Sequence, residues 1–314
     1  MKPEKKAIDI LCVGETLIDF IGNQAEQPIR KTKDYHRYLG GSPTNVAMNM
    51  ARLGMKVEMV ATVAHDGFGD YIINRLQETN VSTQHVREIK GFPTSVIFVN
   101  RTVHTPEFIA MRGADYHIIE SQIPGDLLQN TSLFHTSCFA LSKDPARSTI
   151  LSKAKEAKKV GCQLSIDINY SQQIWPNTAE AVEAITTYCS FNPLVKVSQD
   201  DMDRLFGKDM SHEEIFENLH TLGAKLVCLT LGKKGAKLSE KGKPVLELAA
   251  VKVEKIMDAT GAGDAFWSGF LFSWLKGRPN EASMGTALKM AAIKLQNVGR
   301  IPDYAKVISN VLKL

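Results

Sequence analysis

Asp258-Ala259-Thr260-Gly261-Ala262-Gly263-Asp264-Ala265-Phe266 is the stretch on which the reading of this 314-residue chain turns. Four small residues, Ala259 and Gly261 to Gly263, stand between two carboxylates. An apolar, helix-compatible run follows through Trp267, Gly269, Phe270 and Leu271. The pattern predicts a tight turn that feeds a helix N-terminus. Backbone N–H groups there lack partners and the helix dipole adds partial positive charge, so such a turn can hold an anion. Glycine at 261 and 263 lets the backbone approach the anion and reach φ > 0. Asp264 has two readings. It is a helix cap, or it is a general base that takes a hydroxyl proton while the turn's N–H groups stabilise a transferring phosphoryl group.

A second glycine turn, Leu39-Gly40-Gly41-Ser42-Pro43-Thr44-Asn45, opens a helix that Gly54 closes. Near the start stands Val13-Gly14-Glu15-Thr16-Leu17-Ile18-Asp19, and further on Cys228-Leu229-Thr230-Leu231-Gly232-Lys233-Lys234-Gly235. The ordered set resembles the signature motifs of the PfkB-type, or ribokinase-like, carbohydrate kinases, and it spans nearly the whole chain. The resemblance implies an α/β, ribokinase-like fold: a central, mostly parallel β-sheet flanked by helices, with a small antiparallel β-sheet lid. It also implies an ATP-dependent sugar kinase that uses Mg²⁺, and a monovalent cation such as K⁺ near Asp258 and the Thr260 carbonyl.

Composition is that of a soluble globular protein and narrows the alternatives. Hydrophobic residues make up 44% and charged residues 23%, ordinary for a globular protein. The formal charge of +4 is too small an excess to argue for nucleic acid, and the basic clusters read as solvated faces. The five cysteines show no C-x-x-C spacing, which points to reduced, buried thiols in a cytoplasmic protein. The N-terminus has a basic start but only a short apolar run before Glu15. It is expected to be neither a signal peptide nor a membrane span.

Short apolar runs at 8–13, 56–63, 133–136, 163–168, 194–197 and 226–231 read as buried strands. Amphipathic helices are expected at 45–53, 70–78, 145–159, 178–189, 199–205 and 212–222. This alternation predicts a mostly parallel sheet with helices on both faces. Two stretches break it, 20–38 and 92–112, and both fit a small separate sheet. The expected division is a large α/β unit from 1–19, 39–91 and 113–314, with a lid from 20–38 and 92–112. A small sheet with an apolar face cannot stay exposed, so a homodimer formed through the lid is expected.

Open α/β sheets bind ligands beyond the carboxyl ends of their strands. Asp19 follows the first strand and can accept hydrogen bonds from sugar hydroxyls. Gly40 and Gly41 let the backbone approach a polyol, and Asn45 can both donate and accept. No GxxxxGK[ST] loop occurs, which excludes a Walker-type kinase, so phosphate binding must rest on Gly261, Ala262 and Gly263. The resemblance places Thr230 and Gly232 at the nucleotide; a plain hairpin turn explains the glycines from 232 to 235 equally well. Ser165 to Pro176 is similar to a fructokinase segment, with Asp167 and Asn169 facing the γ-phosphate. Asp167, Asn169, Trp175 and Pro176 match it, but Ser171 stands where an Arg is usual. Met111-Arg112-Gly113-Ala114-Asp115 is also fructokinase-like, and Arg112 is either a sugar or phosphate contact or a solvent-facing arginine. Ser198 and Asp201 replace the family's magnesium-associated Asn and Glu. Asp201 would then hold Mg²⁺ through water, or the pair is a helix cap. Fructose is the expected acceptor. 2-Keto-3-deoxygluconate kinase, ribokinase and nucleoside kinase are the alternatives within the family, and a non-catalytic sugar or nucleotide sensor the alternative outside it.

Overall fold

The computed structural model describes residues 6–103 and 106–299. β1 (Ile8–Val13) is followed by β2 (Leu17–Ala25) and β3 (Tyr35–Gly40), then α1 (Ser42–Arg52), β4 (Val57–Ala64), α2 (Gly67–Glu78) and β5 (Ser82–Ile89). β6 (Val96–Arg101) and β7 (Phe108–Met111) come next, then α3 (Gly125–Gln129), β8 (Thr131–Ser137), α4 (Ala146–Lys159), β9 (Gln163–Ile168) and α5 (Thr178–Cys189). The last third holds β10 (Leu194–Ser198), α6 (Gln199–Phe206), α7 (His212–Thr221), β11 (Leu226–Thr230), β12 (Ala236–Glu240) and β13 (Leu246–Leu248). α8 (Ala262–Leu275) and α9 (Asn280–Leu295) follow.

The large sheet runs β13-β12-β11-β10-β9-β8-β1-β4-β5. It is parallel from β5 to β11, and β12 and β13 add an antiparallel edge. β1 shows why such strands read as apolar runs. Leu11 and Val13 enter the core on one face, and Ile10 and Cys12 enter the core on the other, as period-two alternation requires when both faces are covered. α4, α5, α6 and α7 pack on the first face, and α1, α2, α8 and α9 on the second. Cys12, Cys138, Cys162, Cys189 and Cys228 are free and buried, as expected.

The second sheet has the order β3-β2-β6-β7. It mixes antiparallel pairs with one parallel pair, β2 with β6. Its strands reach further than the sequence suggested. Asp19 pairs with Tyr38 and Leu17 with Gly40, so Asp19 and Gly40 stand on the small sheet where it meets the large one. β5 escaped the sequence reading because it is an edge strand of polar and apolar residues, Ser-Thr-Gln-His-Val-Arg-Glu-Ile, with no buried run.

Two features place the site. The N-termini of α1 and α8 lie side by side, and the carboxyl ends of β9, β10 and β11 face the start of α8. α8 is apolar on every side, with residues 265–274 buried, as a helix enclosed by α1, α9 and the sheet must be.

Candidate active site

Gly261 caps α8 in the left-handed region, φ 74°, where glycine carries no Cβ penalty. Asp264 stands in the first turn of that helix and meets the first turn of α1. Ser42 Oγ donates to its Oδ1 at 2.7 Å and Asn45 Nδ2 to its Oδ2 at 2.8 Å. The two glycine turns, more than 200 residues apart, thus converge on one carboxylate. Burial pushes the Asp264 carboxyl up from the ordinary aspartate value, against the pull of Ser42, Asn45, Lys196 and Lys294. A carboxylate poised this way is a better proton acceptor at neutral pH than a solvated one.

α1 is itself held by Glu15. Its Oε1 accepts from the Ser42 amide at 2.8 Å and its Oε2 from Ser137 Oγ at 2.7 Å. Thr44 Oγ1 donates to the Glu15 carbonyl at 3.0 Å. Gly41, at φ 103°, has no room for a Cβ, which would lie 2.4 Å from that same carbonyl. A Cβ at Gly40 would lie 2.1 Å from an Asp19 carboxylate oxygen. The Gly-Gly pair therefore lets the Asp19 strand and the α1 turn close together. Burial, with Asp264 and Asp258 nearby, pushes Asp19 up to about 7.

Two cavities meet at the α8 turn. The smaller, about 350 Å³, is lined by Asp19, Asn45, Thr260 and Gly261 together with Arg37, Arg52, Tyr71 and Arg75. The larger, about 1400 Å³, is lined by Ala262 and Gly263 with Lys196, Thr230, Gly232 and the apolar residues Phe266, Leu288 and Leu295. The expected sugar contacts Asp19 and Asn45 therefore face one space, and the expected nucleotide contacts Thr230 and Gly232 the other. Gly232 is also part of the hairpin between β11 and β12, so both readings of that turn describe the same residues.

Lys196 is a buried cation at this turn that the sequence reading missed. Its Nζ holds both oxygens of Asp167, at 2.9 and 3.0 Å, in a buried pair. Burial alone would lower this ammonium, but Asp167, Asp201 and Asp264 outweigh it and hold its pKa above the usual lysine value. A Cβ at Gly263 would sit 2.8 Å from Lys196 Nζ. Gly263 thus owes its identity to a cation pressed against the turn; the expected left-handed φ occurs at Gly261 alone of the two. The signal for Lys196 was a lysine within the apolar strand Leu194-Val195-Lys196-Val197.

Three expectations fare differently. Arg112 lines neither cavity and does not face solvent. Its guanidinium binds Asp115 Oδ2 at 2.6 and 3.0 Å, donates to Ser142 and stacks 4.4 Å from the Phe139 ring. The i,i+3 spacing of Arg112 and Asp115 closes that pair locally and leaves the side chain 5% exposed. Asn169 accepts from the Phe139 amide at 3.0 Å, and it lines neither cavity. Asp258 is fully buried and accepts from the Thr260 amide at 3.0 Å.

Asp201 lines the larger cavity, but both its oxygens are engaged. Oδ2 accepts from Ser198 Oγ at 2.5 Å, closing a capping box, and Oδ1 accepts from Arg204 at 2.6 Å. The cap reading accounts for the pair. Among the described residues no group of three or more His, Cys, Asp or Glu could hold a metal. With both oxygens so engaged, Asp201 would reach a Mg²⁺ ion through that ion's own water, the arrangement expected from the sequence.

Residues 7–306 match the pfkB family of carbohydrate kinases. The chain is 36% identical over 304 residues to the ATP-dependent 6-phosphofructokinase of Thermoanaerobacterium thermosaccharolyticum, covering 97% of this chain and 93% of that one. Among solved structures it is similar to Halothermothrix orenii fructokinase, 31% identical with a TM-score of 0.78 over 90% of this chain and 98% of that one. An uncharacterized sugar kinase from Pyrococcus horikoshii in complex with ATP is 26% identical, with a TM-score of 0.81 over 92% and 93%. The chain belongs to the pfkB family of carbohydrate kinases.

Proposed function

We propose, from its place among the pfkB carbohydrate kinases, that this chain moves the γ-phosphoryl group of ATP onto a primary hydroxyl of a sugar. Fructose is the acceptor and fructose 6-phosphate the product. One observation carries the reading. Asp264 stands at the turn that separates the cavities, with Thr260 and Gly261 lining one and Ala262 and Gly263 the other. A sugar hydroxyl held by Asp19 and Asn45 gives its proton to Asp264 as its oxygen bonds to the γ-phosphorus. The bond from that phosphorus to the ADP oxygen breaks. The N–H groups at Gly261 to Gly263 and the Lys196 ammonium take up the charge on the group in flight. Mg²⁺, arriving with ATP, would neutralise phosphate charge. The intact base and glycine turn weigh against a non-catalytic sensor.

A second reading has its own observation. Arg37, Arg52 and Arg75 all line the smaller cavity, and guanidinium groups suit a phosphate. The acceptor is then a sugar that already carries one, such as fructose 6-phosphate. An assay coupled to ADP release decides between them across fructose, fructose 6-phosphate, ribose, 2-keto-3-deoxygluconate and nucleosides. Fructose giving the highest kcat/KM supports the first reading. Fructose 6-phosphate ahead of fructose by tenfold replaces it with the second, and no turnover on any of them removes the kinase mechanism.

A further inference from the structure

We propose that the Lys294 ammonium is this chain's built-in monovalent cation, so that the turn before α8 needs no K⁺ ion. The family resemblance puts such an ion near Asp258 and the Thr260 carbonyl. In this structure a lysine side chain faces the same carboxylate. Lys294 Nζ lies 3.4 Å from Asp258 Oδ2 and donates to the Asn297 carbonyl at 3.0 Å. Lys294 is 5% exposed and Asp258 fully buried.

The chemistry of that carboxylate explains the exchange. A carboxylate stripped of water needs a positive partner. The other oxygen of Asp258 holds the Thr260 amide, and Lys294 Cε lies 3.6 Å from where a Cβ on Gly261 would be. The ammonium therefore neutralises the group that fixes the turn bearing Gly261. A K⁺ ion bound to the same carboxylate would lie beside that ammonium, and one negative charge would face two positive ones. The sequence agrees: Lys294 interrupts the apolar run Ala291-Ala292-Ile293 and Leu295 in α9, a place where a lysine without a partner would be costly. A tethered cation cannot dissociate, so the turn is held at any salt composition.

The inference rests on the reading of this turn as the phosphoryl-transfer site, and its test includes a measurement that does not depend on turnover. Melting temperature and turnover are followed while KCl is exchanged for choline chloride at equal ionic strength. The wild type should show the same values in both. Lys294→Ala opens the position, so in choline it should lose about tenfold or more in turnover, the scale of losing a group that orients a reacting one. K⁺ should restore much of that loss and raise the melting temperature, since an ion that binds only the folded state stabilises it. Lys294→Met, which fills the space with a neutral chain, should gain nothing from K⁺. A wild type activated or stabilised by K⁺ over choline overturns the proposal, and this comparison needs no variant. A folded Lys294→Ala variant indifferent to K⁺ overturns it as well.

Discussion

At the scale of single residues the site rests on two buried carboxylates and their partners, Asp264 with Ser42 and Asn45, and Asp167 with Lys196. Gly261, Gly263 and Asp264 were legible because a turn, its glycines and its carboxylate are neighbours in the chain. Lys196 was not, because its meaning depends on β9, β10 and α8 converging from three distant segments. Arg112 was legible as a conspicuous arginine, but its local partner was not. Asp115, three residues on, satisfies it first. Two predictions belong at this scale. Asp264→Asn should fold normally by circular dichroism and lose roughly two or more orders of magnitude in turnover, since a general base contributes about 10²–10⁴-fold. Near-normal turnover would remove Asp264 as the base. Lys196→Met should destabilise the protein by about 3–5 kcal/mol, because it leaves Asp167 buried and unpaired. Adding Asp167→Asn should recover most of that stability in denaturant melts but not the turnover. If turnover returned with stability, Lys196 would serve the fold alone.

At the scale of elements the buried strands and the amphipathic helices were legible from their apolar runs and periodicity. β1 and β9 lie where the apolar runs at 8–13 and 163–168 placed them, and α5 lies where its periodicity put it. These elements are buried on one or both faces, so burial writes itself into composition. β5 and β13 were missed because edge strands carry mixed and charged residues, and β12, which lies between β11 and β13, because Lys237 and Glu240 interrupt its short apolar run. The contact of α8 with α9 depends on a glycine whose reason is visible only in three dimensions. A Cβ at Gly269 would lie 3.0 Å from both the Ala287 Cα and the Thr286 carbonyl. Gly269→Val forces the two helices apart, and overpacking of this kind costs about 1–3 kcal/mol or more. Because α8 carries Asp264 and α9 carries Lys294, turnover should fall along with the denaturation midpoint. A midpoint equal to wild type would show that the helices yield without cost.

At the scale of the whole molecule the small sheet is the unfinished part. Its β7 edge exposes Ile109 at 46% and Met111 at 57%, and among the described residues β7 pairs with β6 alone. We propose that two copies pair through this sheet. Wild-type protein should sediment as a dimer, and Ile109→Lys with Met111→Glu should shift it to monomer. A monomeric wild type at micromolar concentration would exclude the pairing.

Asp19 has a further consequence, which concerns solvent protons. With its carboxyl pushed up to about 7, the empty protein carries a proton there for much of the time at slightly acid pH. A sugar hydroxyl donating to Asp19 favours its charged form and drives that proton off. The liganded protein then holds fewer protons than the free one, so sugar affinity must rise with pH until about 7 and level off above it. Binding should also acidify its surroundings. The heat of fructose binding near pH 6.5 should therefore change with the ionisation enthalpy of the buffer, and Asp19→Asn should abolish that dependence. A heat of binding that is the same in phosphate and in Tris would mean that Asp19 is already ionised before the sugar arrives.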